Sequence, residues 1–158
     1  MEAAGSIPME PGREARVDYE YVRYGVVNIF VANEPLKGER MAEVTERKTK
    51  KDWAHFIRKI SDEMYPDADK ITLVMDNFKT HTPGALYETF ESEEAKRIWD
   101  RFEFVYTPKH GSWLNMVEIE FQVQNKQCLS RHIATMEEVK KEVEAWQLHR
   151  NNKKIVIN

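Results

Sequence analysis

The stretch "ITLVMDNFKTH", residues 71–81, decides the fold class. Five residues that favour β-structure, 71–75, lead directly into Asp76, and Asn77 and His81 follow. A buried strand excludes carboxylate, amide and imidazole groups unless they are paired or bound to something. The stretch therefore predicts a buried strand whose carboxyl end carries functional groups.

The composition is that of one soluble globular domain, with 158 residues of which 41% are apolar. The formal net charge of -3 means that any contact with nucleic acid must come from a local basic patch. Cys128 is the single cysteine, which excludes an internal disulfide and indicates a reducing compartment. No apolar run approaches the roughly 20 residues that span a bilayer. We therefore expect a cytoplasmic protein without membrane contact.

The order of predicted elements is that of an α/β protein. Residues 1–16 lack periodicity and contain several glycines and prolines, so they are expected to form a loose arm before a domain over 17–158. The predicted strands are 26–34, 40–46, 71–75 and 102–106; helices are predicted from Thr49 to Pro66, over 84–99, from Ser112 to about Leu129, and after the capping box at 135–138. The first helix begins with a capping box of Thr49 and Asp52 and has an apolar stripe that includes Trp53, Phe56 and Ile57, and the last helix is expected to turn Val139, Val143 and Trp146 inward. This pattern predicts helices packed on a mixed sheet.

A second carboxylate is expected at the same edge of the sheet as Asp76. The loop after strand 102–106 leads into a predicted helix in which Glu118 falls within the apolar arc. A glutamate in that arc is costly unless it is paired with a cation or coordinates one. Two carboxylates at strand ends are suited to a hard divalent cation such as Mg²⁺. The rival interpretations are a loop-capping role for Asp76 and a salt bridge for Glu118.

Three segments together resemble transposases of the IS630 group within the Tc1/mariner superfamily. They are "RVDYEYVRYG" (16–25), "VMDNFKTH" (74–81) and "YTPKHGSWLNMVEIE" (106–120), and the resemblance runs from about Gly12 to the C-terminus. Proteins of this group carry a DDE catalytic domain with a ribonuclease-H-like fold. The resemblance therefore implies that fold, and it implies metal-dependent DNA strand cleavage and strand transfer during transposition.

The same resemblance implies roles for individual residues. Asp76 matches the second catalytic acid and Glu118 the third, while Asn77, His81 and Asn115 match supporting positions that flank them. It also implies Mg²⁺ as cofactor, with Mn²⁺ as a substitute. Transposon ends and target DNA would be the partners, and the full-length protein would be a homodimer.

One departure from the family concerns the first catalytic aspartate. In the family this residue lies on the first strand, upstream of the segment that 16–25 resembles, and no strand ending in Asp precedes that segment here. We therefore expect a ribonuclease-H-like sheet without its first, central strand, which would leave strand edges unpaired. Such a chain would be marginally stable and catalytically weak or inactive. Asp18 and Glu20 are conceivable as the missing acid, but strand alternation places them on the face opposite Val17 and Tyr19, where we expect them to be solvated.

Several alternatives stay open. His81 could orient the Asp76 loop or bind the metal, and Lys109 and His110 could contact DNA phosphates or be ordinary exposed turn residues. The alternative function is an inactive transposase remnant that acts at most as a DNA- or self-interaction module. A third interpretation, a phosphoacceptor domain using Asp76, requires an early acidic pair that the sequence does not show.

Overall fold

The computed structural model describes residues 14–24, 27–34, 36–76, 84–107 and 135–153. Its strands are β1 (Glu14–Tyr24), β2 (Val27–Glu34), β3 (Glu39–Thr45), β4 (Lys70–Asp76) and β5 (Phe102–Thr107). Its helices are α1 (Lys50–Lys59), which continues into a π-helical turn (Ile60–Met64), α2 (Gly84–Thr89), α3 (Ser92–Arg101) and α4 (Met136–Lys153).

The five strands form one mixed sheet in the order β3-β2-β1-β4-β5. The β3–β2 and β2–β1 pairs are antiparallel, whereas the β1–β4 and β4–β5 pairs are parallel. Helices flank this sheet, and the predicted ribonuclease-H-like α/β fold is therefore confirmed. The two parallel pairs bring the carboxyl ends of β4 and β5 to the same edge of the sheet.

The expectation that the sheet lacks a central strand is wrong for this structure. Strand β1 lies between β2 and β4 and pairs with both, so neither neighbour has an open edge on that side. The resemblance placed the first strand upstream of residues 16–25, whereas this segment is itself the central strand, with Ala15, Val17 and Tyr19 buried in the main core. The strand begins at Glu14, so residues 14–16 of the predicted arm belong to it, and residues 1–13 lie outside the described part.

The main core lies between one face of the sheet and helices α1, α2 and α3. The apolar stripe predicted for α1 is confirmed, because Trp53, Phe56 and Ile57 are essentially inaccessible to solvent. The rings of Phe30 and Phe56 stack across the helix–sheet interface at 5.5 Å between centroids. The predicted capping box at the start of α1 is also present, with the Asp52 amide donating to the Thr49 hydroxyl over 3.1 Å.

The predicted helical stretch over 84–99 is two helices. Glu91 has an extended backbone (φ −62°, ψ 156°) and acts as the N-cap of α3, which separates α3 from α2. The C-terminal helix α4 packs on the opposite face of the sheet against β2 and β3. Its predicted inward residues are buried there, and they are Val139, Val143 and Trp146.

Helix α4 also covers the open edge of β3. The side-chain amide of Asn151 accepts from the Arg40 amide over 2.9 Å and donates to the Arg40 carbonyl over 2.8 Å. One turn earlier, Gln147 accepts from the Ala42 amide over 2.8 Å. Edge strands attract other chains through such backbone groups, and these two amides occupy them.

Charged side chains join α3 to the end of α1. Arg97 bonds Asp62 and Glu94, each at 2.9 Å. The hydrogen bonds with Arg97 lower the pKa of both carboxyls below their ordinary values of 3.8 and 4.5. Their stabilising contribution is therefore present above about pH 4.5 and is lost as the pH falls through the folded-state pKa values.

Replacing Arg97 with glutamine should lower the free energy of unfolding at pH 7 by no more than about 1 kcal/mol, because these groups are more than a third exposed and screened by solvent. The difference from the wild type should shrink as the pH falls through the lowered folded-state pKa values of Asp62 and Glu94, since protonation then removes their charges. Urea unfolding at pH 7 and pH 3 measures it. If the two proteins differ in unfolding free energy by the same amount at both pH values, the effect of the substitution does not come from the ion pairs.

Candidate functional site

Asp76 is the last residue of β4, as the sequence predicted, and it pairs with Thr107 at the end of β5. The carboxyl ends of adjacent parallel strands are the usual place for ligand sites in α/β sheets. Position 76 therefore lies at the edge where such a site is expected. The description of Asp76 is limited to its backbone.

The other predicted site residues lie outside the described part of the chain. Asn77 and His81 fall in 77–83, and the remaining four fall in 108–134: Lys109, His110, Asn115 and Glu118. The convergence of Asp76 and Glu118 therefore stays a prediction. Within the described ranges, no group of three His, Cys, Asp or Glu side chains is placed to hold a metal ion.

Asp18 is buried, with 9% of its surface exposed, and the expectation that it is solvated is wrong. Its strand is central, and its register partners Asn33 of β2 and Val74 of β4 are themselves buried. Alternation does place Asp18 on the face opposite Val17 and Tyr19, as expected, but at this position that face of the sheet is also shielded from solvent. A carboxylate thus lies in the middle of the sheet, in register with a residue two positions before Asp76.

Asp18 belongs to a row of three buried polar residues that crosses three strands. Asp18 pairs with Asn33, and Asn33 pairs with Arg40 of β3. Asn33 is 0% and Arg40 is 2% exposed. The guanidinium of Arg40 lies 5.8 Å from the ring centroid of Trp146 on α4, within cation–π range. We call Asp18, Asn33 and Arg40 the polar row.

Sequence reasoning missed Asn33 and Arg40. One signal was present, because Asn33 interrupts a strand in which Ile29, Phe30 and Val31 are wholly buried. The alignment of Asn33 with Asp18 depends on strand register, which a single sequence does not specify.

A buried pair on the main-core face has a structural role. The Tyr65 hydroxyl donates to the Glu34 carboxylate, which links the end of the π-helical turn to the end of β2. Burial and this bond raise the pKa of Tyr65 far above its ordinary value. Residues 30, 32 and 34 of β2 point to the same face of the sheet, which is the main-core face of Phe30 and Ala32. The Tyr65–Glu34 pair therefore lies on the face opposite the polar row.

A shallow cavity of about 260 Å³ lies at the β3 edge of the sheet. Its lining comprises Ala42, Glu43, Val44, Lys59, Lys140, Val143 and Glu144. The charges are of both signs, and Lys59 bonds Glu43 at 2.5 Å. This cavity is at the opposite side of the sheet from β4 and β5, so it is not the site that Asp76 marks.

Helix length and hydropathy give one further result: none of the helices in the described ranges could cross a membrane.

No curated protein sequence matches the chain at a significant level. A family model described as "DDE superfamily endonuclease" matches residues 2–140, which is most of the chain. Endonucleases of this superfamily act on DNA and generally use divalent metals, and the central buried carboxylate and the acid at the end of β4 agree with that lineage. The chain belongs to the DDE superfamily endonuclease family.

Proposed function

We propose that this chain is a transposase catalytic domain of the IS630 type in the Tc1/mariner superfamily, which cleaves DNA and transfers the cut strand with the help of Mg²⁺. The observation that carries the proposal is the position of Asp76 at the carboxyl end of β4, next to the central strand of a sheet in a DDE family member. The motifs around Asp76 and Glu118 support the narrower IS630 assignment.

Asp18 supplies the further carboxylate that this chemistry needs. It pairs with Val74, and positions 74 and 76 have the same parity in β4. With strands about 4.8 Å apart and a rise of about 3.3 Å per residue, the backbones at 18 and 76 are roughly 8 Å apart. Carboxylates at that spacing can share one cation, whose oxygen ligands lie about 2 Å from it.

The donor set suits a hard cation, because Asp18, Asp76 and Glu118 offer only carboxylate oxygens. Mg²⁺ or Mn²⁺, when bound, supplies Lewis-acid stabilisation of the charge that develops on the phosphodiester. The role of the chain is to hold these carboxylates fixed. The paired central strand achieves this for Asp18, because its backbone is bonded to a neighbour on each side.

DNA binding would rely on a local patch, since the chain as a whole is slightly acidic. Lys109 and His110, in the segment between β5 and Glu118, are the proposed phosphate contacts. Transposon ends and target DNA would be the substrates, bound by a homodimer, and His81 would orient the loop that carries Asp76.

The test is a nicking assay with the purified 158-residue chain and supercoiled plasmid. The proposal predicts conversion to the open circle with Mg²⁺ or Mn²⁺ and none with Ca²⁺ or with EDTA. Nicking that persists in EDTA would indicate a contaminating nuclease. A folded chain that nicks with neither metal would favour the inactive remnant that acts only as an interaction module.

A further inference from the structure

The polar row is costly, and the stability of the fold does not explain it. Its neighbours on the same face are apolar, including Ile29 and Val31 beneath α4. Replacing buried charged or polar groups with apolar residues of similar size is often neutral or stabilising. The presence of an acid, an amide and a guanidinium side by side in the sheet therefore requires a reason other than stability.

The most unusual member of the row is Asn33. Both of its side-chain amide atoms, Nδ2 and Oδ1, are buried, and neither has a hydrogen-bond partner within the part of the chain that the structure describes. An unsatisfied buried polar group costs about 1–3 kcal/mol. Each such group in a folded protein calls for an explanation, for example stored strain, a bound water or ion, or a catalytic role.

Asn28, five residues earlier in β2, shows that burial alone does not leave an asparagine amide without hydrogen bonds. It is 1% exposed, yet its Oδ1 accepts from the Tyr21 hydroxyl over 2.8 Å and its Nδ2 donates to the Glu46 carbonyl over 3.1 Å. The two asparagines have the same chemistry and the same burial, and they lie on opposite faces of the strand. Asn28 therefore serves as a matched control.

Arg40 provides a fixed end to the row. Its backbone is held on both sides of the residue by Asn151, and its guanidinium lies against Trp146. Side chains directly opposite on adjacent strands have Cβ atoms roughly 5 Å apart, so Asn33 lies within reach of both neighbours. An amide can donate to a carboxylate with Nδ2 and accept from a guanidinium with Oδ1.

We infer that Asn33 is a positioning residue that links Arg40 to Asp18 and directs the Asp18 carboxylate toward the end of β4. This inference rests on the proposed function, in which Asp18 and Asp76 share a divalent cation. A rotation of the amide would complete both hydrogen bonds, and these would hold the Asp18 carboxylate in the orientation that a shared cation requires. Asn33 would then act on the metal site only through Asp18. Such supporting groups typically change metal affinity by 10- to 100-fold.

The experiment measures Mn²⁺ affinity and thermal stability of the full chain in parallel. Free Mn²⁺ is followed by electron paramagnetic resonance and unfolding by circular dichroism. Asn33→Leu, which has nearly the same shape, should weaken Mn²⁺ binding about tenfold while the Tm stays the same or rises, because an unsatisfied amide is removed. Asn28→Leu should do the reverse, lowering the Tm and leaving the Mn²⁺ affinity unchanged.

Asp18→Asn and Asp76→Asn separate the two levels of the proposal. If both weaken Mn²⁺ binding and Asn33→Leu does not, the positioning role is wrong and the proposed function stands. If neither aspartate variant changes Mn²⁺ binding, the proposed function itself fails. If Asn28→Leu weakens Mn²⁺ binding as much as Asn33→Leu, the effect is general loss of structure, and the inference is overturned.

Discussion

Replacing Asp76 with asparagine is expected to lower the rate of metal-dependent DNA nicking by about 100-fold or more. Asparagine keeps the shape of the side chain but removes the negative charge that, under the proposed function, holds the cation. A loss of about 3 kcal/mol in transition-state stabilisation corresponds to that factor. The initial rate of plasmid nicking in Mg²⁺, measured at a metal concentration that saturates the wild type, gives the result.

Asp69→Asn is the matched control, because Asp69 is exposed just before β4 begins and carries the same charge change. It should leave nicking and stability unaltered. A wild-type rate in the Asp76→Asn chain would contradict the assignment of Asp76. Equal losses in both variants would point to charge-dependent DNA binding rather than to a cation ligand.

Features that depend on neighbouring residues could be predicted from the sequence. The buried stripe of α1 follows from the 3.6-residue period of Trp53, Phe56 and Ile57. Both capping boxes were predicted from residues three apart, and Thr135 and Glu138 exchange their bonds over 2.9 and 3.1 Å. The position of Asp76 at a strand end follows from the apolar run before it. These signals are local, so one sequence contains them.

Features that depend on strand pairing could not be predicted. Arg16, Asp18 and Arg23 give β1 the composition of an edge strand, yet β1 is central because β2 and β4 both pair with it. Membership of a sheet is decided by partners distant in the sequence, and a one-residue change of register would move Asp18 to the other face. The polar row depends on two such registers, β1 with β2 and β2 with β3, so it could be identified only from the structure.

Arg101, at the junction between α3 and β5, bonds the segment that follows α1. Its guanidinium donates to the Ser61 carbonyl (2.5 Å), the Ser61 hydroxyl (2.7 Å), the Tyr65 carbonyl (2.6 Å) and the Ala68 carbonyl. The carbonyls at the end of a helix have no partner within it, and Arg101 donates to those of Ser61 and Tyr65 at the end of the π-helical turn and to that of Ala68 in the loop beyond it. Because Phe102 begins β5, the same residue fixes where that strand starts.

Arg101→Met should therefore lower the free energy of unfolding by about 3 kcal/mol, or the Tm by roughly 6–12 °C, because buried carbonyls lose a charged donor. Arg101→Lys should recover only part of this, since one ammonium cannot reach three carbonyls in different directions. Arg97→Met, four residues earlier on the same helix, breaks more exposed ion pairs and should cost about 1 kcal/mol or less. Urea unfolding of the three variants gives the loss in unfolding free energy for each and therefore their order. Equal losses for Arg97→Met and Arg101→Met would show that the junction depends on charge alone and not on the carbonyls that Arg101 satisfies.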